Sequence, residues 1–174
     1  MQRPNWDEFF FALAHIYSTR GTCDRLKTAC VLVDKNKRLV GAGYNGALPK
    51  NPQCDDVGHL IIEGHCVRTL HGEENAILYS TANLIGASAY IIGTPCIRCT
   101  TKLIAKGVKE IKYTGEYKNS EGKEHIFDLA ERNDVKLEHA DFDFVGTMEK
   151  MTDILKDKGG ALHIKEVVNS NKDI

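Results

Sequence analysis

Residues 71–114 read HGEENAILYSTANLIGASAYIIGTPCIRCTTKLIAKGVKEIKYT, and the alternation within them decides the fold. Short apolar runs near 88–93 and 109–114 predict strands, and helix-forming segments near 72–82 and 96–106 precede them. The pattern repeats once more, with a helix near 123–133 and a strand near 135–139. Such alternation implies a sheet with helices on its faces and its later strands parallel, an α/β sandwich. Upstream, Ala29-Cys30-Val31-Leu32-Val33 and Leu39-Val40-Gly41-Ala42-Gly43-Tyr44 flank the polar Asp34-Lys35-Asn36-Lys37, which is the pattern of a β-hairpin. Trp6, Phe9, Phe10, Leu13, Ile16 and Tyr17 recur at spacings near three and four, so an amphipathic helix opens the chain and buries that stripe. Residues 45–68, rich in Gly, Pro, Asn and Asp, read as a long irregular connection, a feature that in a compact domain usually serves function. Beyond about Asp141, the residues Val145, Met148, Met151, Ile154 and Leu155 predict a terminal helix, followed by Gly159-Gly160 and a polar tail. We therefore expect one domain over 1–145, with 146–174 as a C-terminal helix and tail that packs on it or extends an oligomer interface.

Composition narrows the function. A chain of 174 residues, 42% hydrophobic and 27% charged, is large enough for one domain with its own core. Lys and Arg number 23 against 24 Asp and Glu, without a long block of one sign, so a polyanion-binding face is not expected and nucleic acid is a poor partner. No apolar run approaches the roughly 18 residues of a membrane span. The start, Met1-Gln2-Arg3-Pro4-Asn5-Trp6-Asp7, has no apolar signal core, which leads us to expect a cytoplasmic protein. In that compartment the six cysteines are reduced thiols, and patterned cysteine is better explained by metal than by disulfides.

The chemistry concentrates in two short segments, His71-Gly72-Glu73 and Pro95-Cys96-Ile97-Arg98-Cys99. H-x-E followed by P-C-x-x-C is the established signature of the zinc nucleobase deaminases, so the match is to a known template. Physical chemistry supports it independently. If one helix starts near 71, a strand returns at 88–93 and a second helix starts at Cys96, both helix N-termini meet at one sheet edge. His71, Cys96 and Cys99 can then converge on a metal. Cys96 and Cys99, three apart on a first turn, share a face where free N–H groups and the helix dipole favour thiolate. Three ligands leave a fourth tetrahedral position open, the arrangement of a catalytic zinc. Glu73, two residues past His71, would lie about 200° round a regular helix. His71 must therefore sit at the very start of its helix, which lets Glu73 take a proton from a zinc-activated water without ligating the metal.

With these segments, Arg20-Gly21-Thr22-Cys23-Asp24-Arg25, Gly43-Tyr44-Asn45-Gly46 and Arg68-Thr69-Leu70-His71-Gly72-Glu73-Glu74-Asn75-Ala76-Ile77 resemble the deoxycytidylate (dCMP) deaminases, in order from about Trp6 to His139. The zinc motifs alone indicate only the wider deaminase superfamily; G-Y-N-G with H-x-E-x-N-A-I narrows it. The resemblance implies a three-layer α/β/α sandwich on a five-stranded mixed sheet, hydrolysis of dCMP to dUMP and ammonia, and Glu73 as the proton carrier. It also implies dCTP as activator, dTTP as inhibitor, and a homo-oligomer, often a hexamer. By the same resemblance Asn45 contacts the sugar, Arg20 and Arg25 lie near nucleotide or effector phosphates, and Tyr117 packs against the pyrimidine.

The resemblance further suggests a second, structural zinc held by Cys23, Cys54 and Cys66 with either His59 or His65; the sequence does not choose between the histidines. Two departures stand out. Gly72 replaces the alanine usual between the His and Glu, and Ala29-Cys30 stands where Gly-Ala is usual, so Cys30 reads as a core thiol. The rival readings are a deaminase of another nucleotide, nucleoside or base, and a zinc-stabilised nucleotide-binding module without catalysis; Glu73 argues against the second, because a purely structural site needs no carboxylate beside the metal.

Overall fold

The computed structural model describes residues 3–118 and 120–157. Helix α1 (Trp6–Ser18) begins at Asn5, whose side chain accepts from the Glu8 N–H while the Glu8 carboxylate accepts from the Asn5 N–H, closing both ends of a capping box. The hairpin β1 (Ala29–Val33) and β2 (Leu39–Tyr44) follows as the sequence predicts. The connection after it is not structureless: it holds a single turn α2 (Cys54–Val57) and a small hairpin, β3 (Ile61–Ile62) with β4 (His65–Cys66). Then come α3 (Gly72–Leu78), β5 (Ser88–Ile92), α4 (Ile97–Ala105), β6 (Glu110–Thr114), α5 (Ile126–Arg132), β7 (Lys136–His139) and α6 (Phe144–Asp157).

The five long strands form one sheet in the order β2-β1-β5-β6-β7. β1 runs antiparallel to both neighbours, with Cys30 opposite Gly43 and Ile91, whereas β5, β6 and β7 are parallel. The sheet is therefore mixed, and helices cover both faces. Period-two alternation separates two cores. Cys30, Leu32, Ala89 and Ile91 point to the side of α3, α4 and α5, where they meet Ala76, Leu103 and Ala130. Val31, Val33 and Tyr90 point to the other side and meet Phe10, Phe11 and Ala14 of α1. This is the three-layer α/β/α sandwich, and Cys30 is a fully buried core thiol. α6 lies on α1, joined by the tilted ring contact of His15 with Phe144 and the pair Lys150–Glu8. Under α1 the Tyr90 hydroxyl donates to Asp7 at 2.7 Å and Lys112 Nζ reaches the other Asp7 oxygen at 2.7 Å, so a sheet residue and a helix N-terminus share one carboxylate. Burial pushes the Asp7 carboxyl up, but these two hydrogen bonds outweigh it and hold the group below its ordinary range.

Two boundaries differ from the sequence reading. The helix expected over 72–82 ends at Leu78, because Ser80 Oγ donates to the Val40 carbonyl of β2 and turns the chain towards β5. The helix expected over 123–133 starts with a 3₁₀ turn at Lys123–His125, entered from Gly122 in the left-handed region. The terminal helix is present; Gly159, Gly160 and the rest of the tail lie outside the described residues. Among the described residues no helix is long and apolar enough to cross a membrane.

Candidate active site

α3 starts where the antiparallel half of the sheet meets the parallel half, and it is pressed unusually close to the hairpin. A Cβ on Gly43 of β2 would lie 2.4 Å from the Ala76 nitrogen and 2.5 Å from the Gly72 oxygen, and one on Gly72 would lie 2.9 Å from the Ala29 Cα. Only glycine permits both approaches. Asn75 then pins the helix by donating from Nδ2 to the Tyr44 carbonyl at 2.7 Å. The H-x-E-x-N spacing thus has a mechanical meaning: the asparagine ties down the helix that presents the histidine and the glutamate.

His71 is the N-cap of α3, with extended backbone (φ −69°, ψ 156°), as the two-residue spacing to Glu73 requires. Its own N–H donates to Glu74 Oε2 at 2.9 Å, and Glu74 is ion-paired with Lys102 of α4. Cys96 is the N-cap of α4; its Sγ accepts from the Cys99 N–H at 3.4 Å. The two helix starts meet. His71 Nδ1 lies 3.6 Å from Cys96 Sγ and 3.3 Å from Cys99 Sγ. Glu73 stands beside them, only 4% exposed.

The electrostatics suit a cation. Cys96 is drawn down to about 4 by hydrogen bonds from Cys99 and His71, so it is held as thiolate at a helix N-terminus. His71 is pushed up to about 9, chiefly by its hydrogen bond with Cys96. Cys99 is pushed up by the bond to Cys96 and by burial, which leaves a proton where a metal would stand. Burial raises Glu73 to about 6, near the pH at which a proton carrier works best. One imidazole and two thiols whose donor atoms lie within 4.8 Å of one another fit zinc, and three donors leave one position open.

These residues face a cleft of about 300 Å³. Its opposite wall comes from the segment after α1 and from the end of β2. Gly46 and Leu70 exchange backbone hydrogen bonds of 3.2 and 3.0 Å, which brings Asn45 beside the start of α3. Asn45 is buried; its Oδ1 accepts from the Thr28 N–H and its Nδ2 donates to the Leu26 carbonyl, so half of its amide capacity is left for a ligand. Arg25 and Tyr117 also line the cleft. Arg20 does not: it is exposed just past the end of α1 and is not among the lining residues. Among the lining residues that escaped the sequence reading are Arg98 and Glu121, which pair with each other at 3.1 Å across the rim. Nothing local in the sequence joins them. Glu74 was legible in principle, since an acid three residues past an N-cap is the capping-box spacing.

A second cluster lies on the neighbouring loops. Cys23, Cys54, His59 and Cys66 place four donor atoms within 4.8 Å of one another. Cys23 Sγ is 3.6 Å from His59 Nδ1, and Cys54 Sγ is 3.5 Å from Cys66 Sγ. His59 Nε2 meets Asp24 at 2.9 Å, which orients the ring. Of the two histidines left open by the sequence, the structure brings His59 into the group, while His65 lines the cleft instead. Cys66 is drawn down to about 7 by hydrogen bonds that outweigh its burial, and four donors close a tetrahedral site. All six cysteines are free thiols.

Comparison with known proteins agrees with this geometry. Residues 4–114 match the family model described as the cytidine and deoxycytidylate deaminase zinc-binding region. ComE operon protein 2 of Bacillus subtilis is 36% identical over 133 residues, covering 75% of this chain and 70% of that protein. The deoxycytidylate deaminase of Mycobacterium phage D29 is 34% identical over 129 residues, covering 67% of this chain and 99% of the relative. The crystal structure of dCMP deaminase from the cyanophage S-TIM5, in complex with dCMP and dUMP, superposes with a TM-score of 0.66 at 23% identity, over 80% of this chain and all of that one. Its likeness is one of fold; the family follows from the sequence matches, whose span includes both helix starts that bring His71 to Cys96 and Cys99. This chain is a member of the cytidine and deoxycytidylate deaminase family.

Proposed function

We propose that the protein hydrolyses dCMP to dUMP and ammonia. The observation that supports this most is the buried Glu73 beside the open-sided His71, Cys96 and Cys99 group, in a chain similar along most of its length to deoxycytidylate deaminases. His71, Cys96 and Cys99 would hold a zinc ion, which supplies the Lewis acidity that makes water a nucleophile near neutral pH. Glu73 would take a proton from the attacking water and deliver it to N3 of the pyrimidine, then take the remaining proton of the hydroxyl added at C4 and deliver it to the amino group, which departs as ammonia. With a ligand in the cleft, water around Glu73 is excluded and its proton stays within the site. Asn45 uses its spare amide capacity on the deoxyribose, Tyr117 packs against the pyrimidine, and Arg25 receives the 5′-phosphate at the mouth. Arg20, outside the cleft, suits an effector phosphate better than the substrate's.

In the same reading Cys23, Cys54, His59 and Cys66 hold a second zinc that clips the loops forming the cleft wall. dCTP activates and dTTP inhibits, and the chain assembles as a homo-oligomer, on the strength of the resemblance to the deoxycytidylate deaminases. Six free thiols fit a reducing cytoplasm. The deciding experiment measures ammonia release from zinc-loaded protein given dCMP, deoxycytidine, CMP or cytosine, with and without dCTP. Preference for dCMP is expected; preference for an unphosphorylated substrate would remove the role given to Arg25.

A further inference from the structure

We propose that Glu74 and Lys102 are positioning residues that hold the two ligand-bearing helix starts together and so slow the loss of zinc; this rests on the reading of His71, Cys96 and Cys99 as zinc ligands. Glu74 lies three residues past His71, at the capping-box position of α3, and its Oε2 accepts from the His71 N–H at 2.9 Å. Its other oxygen is ion-paired with Lys102 Nζ, on α4. An ordinary capping carboxylate closes its own helix; this one closes α3 and grips a neighbour with the same group. Cys96, Cys99 and Lys102 follow one another at spacings of three, so they share the face of α4 that meets the start of α3.

The consequence is mechanical. The His71 ring is committed to the two sulfurs, and the backbone N–H behind it is held by Glu74. Apart from the metal group's own contacts, no other hydrogen bond or ion pair joins these two helix starts among the described residues. A metal held by three ligands leaves when one ligand lifts away and the others follow. With Glu74 and Lys102 in place, His71 and the helix of both cysteines separate only if an ion pair and a charge-assisted hydrogen bond break as well. The Glu74 side chain is 22% exposed and that of Lys102 49%, so the pair is one that salt can still weaken. Groups that act on a metal through its ligands, without touching it, change metal affinity by about 10–100-fold.

Zinc release to a chromogenic chelator gives the test, and the phase that belongs to this group is the one missing from His71→Ala. In Glu74→Ala, which loses both contacts, that phase should be about tenfold faster. Lys102→Met and Glu74→Gln should each be roughly threefold faster, since each loses only the ion pair and a glutamine can still accept from the His71 N–H. The double variant carrying Glu74→Gln and Lys102→Met should match the single variants, because the two side chains act as one unit. Added salt should bring the wild type towards Lys102→Met. Wild-type release from Glu74→Ala or Lys102→Met would overturn the proposal, as would effects that multiply in the double variant. If His71→Ala holds as much zinc as the wild type, the ligand reading itself fails, and this inference with it.

Discussion

Replacing Gly43 by alanine tests whether the closeness of β2 to α3 is what holds the catalytic groups in place. The new methyl would lie 2.4 Å from the Ala76 nitrogen, 2.5 Å from the Gly72 oxygen and 2.7 Å from Asn75 Cβ. Two of these three neighbours are helix backbone, and none is the far end of a flexible side chain, so none can rotate away. Ordinary contact needs about 1 Å more, and the strand is held on its other side by five registered pairs with β1. α3 must therefore move, and it carries His71 and Glu73. Overpacking of this kind costs about 1–3 kcal/mol of stability. Misplacing a catalytic group by about 1 Å costs roughly a hundredfold in rate. The expected result is a lowered melting temperature, a kcat reduced by about two orders of magnitude, and a KM changed much less. The control is Gly115→Ala, which meets no atom within 4 Å but forces a residue with φ of 76° into the left-handed region. It should lose about 1 kcal/mol of stability and keep its kcat. Gly43→Ala with wild-type kcat would refute the claim that this contact sets the geometry of the site.

Glu73→Gln should retain zinc by elemental analysis and lower kcat by about 10²–10⁴, the range for a lost general acid–base group; retained turnover would take the proton-carrying role away from Glu73. Cys66→Ser should cut the zinc content of fully loaded protein from two equivalents per chain to one, and a wild type that saturates at one equivalent would rule out the second zinc. Asp7→Asn should cost about 1 kcal/mol at pH 7, read by urea unfolding; the low end of the range applies because Asp7 is partly exposed. The Asp7 carboxyl is held below its ordinary value of 3.8, so its contribution is fully present above that pH and fades as pH falls through the lowered value. A wild-type-to-variant gap that widens in acid would contradict this.

Local pattern and long-range contact divide what the sequence makes legible. The N-cap position of His71 could be read from the spacing to Glu73 alone, because no regular helix puts residues two apart on one side. The hairpin and parallel strands followed from apolar runs broken by polar turns, each signal confined to a few residues. The end of α3 at Leu78 was hidden because Ser80 bonds to Val40, forty residues earlier in the chain. The choice of His59 over His65 was hidden for the same kind of reason: it depends on the β3–β4 hairpin turning His65 to the cleft, and on Asp24 holding His59. Arg98 and Glu121 meet because the chain after β6 returns to the start of α4, where the Ile97 N–H donates to the Glu121 carbonyl.

The sheet order also bears on how the protein comes into being. All three residues of the metal group lie within 71–99, but α3, which carries His71, packs chiefly on β2 and β1 of the hairpin. The hairpin in turn joins the rest of the sheet through β1 and β5, where Cys30 faces Ile91 across 61 positions of chain. Non-local pairing of that kind is the slow part of folding. The metal group, whose helix rests on the hairpin, and the cleft, which needs Arg25 and Asn45, are thus both completed only after the hairpin has docked. During refolding, zinc uptake by this group and recovery of nucleotide binding should appear together, and zinc uptake well ahead of nucleotide binding would show that the group assembles without the hairpin. Acquiring the metal and acquiring the substrate site are one event in the birth of the molecule.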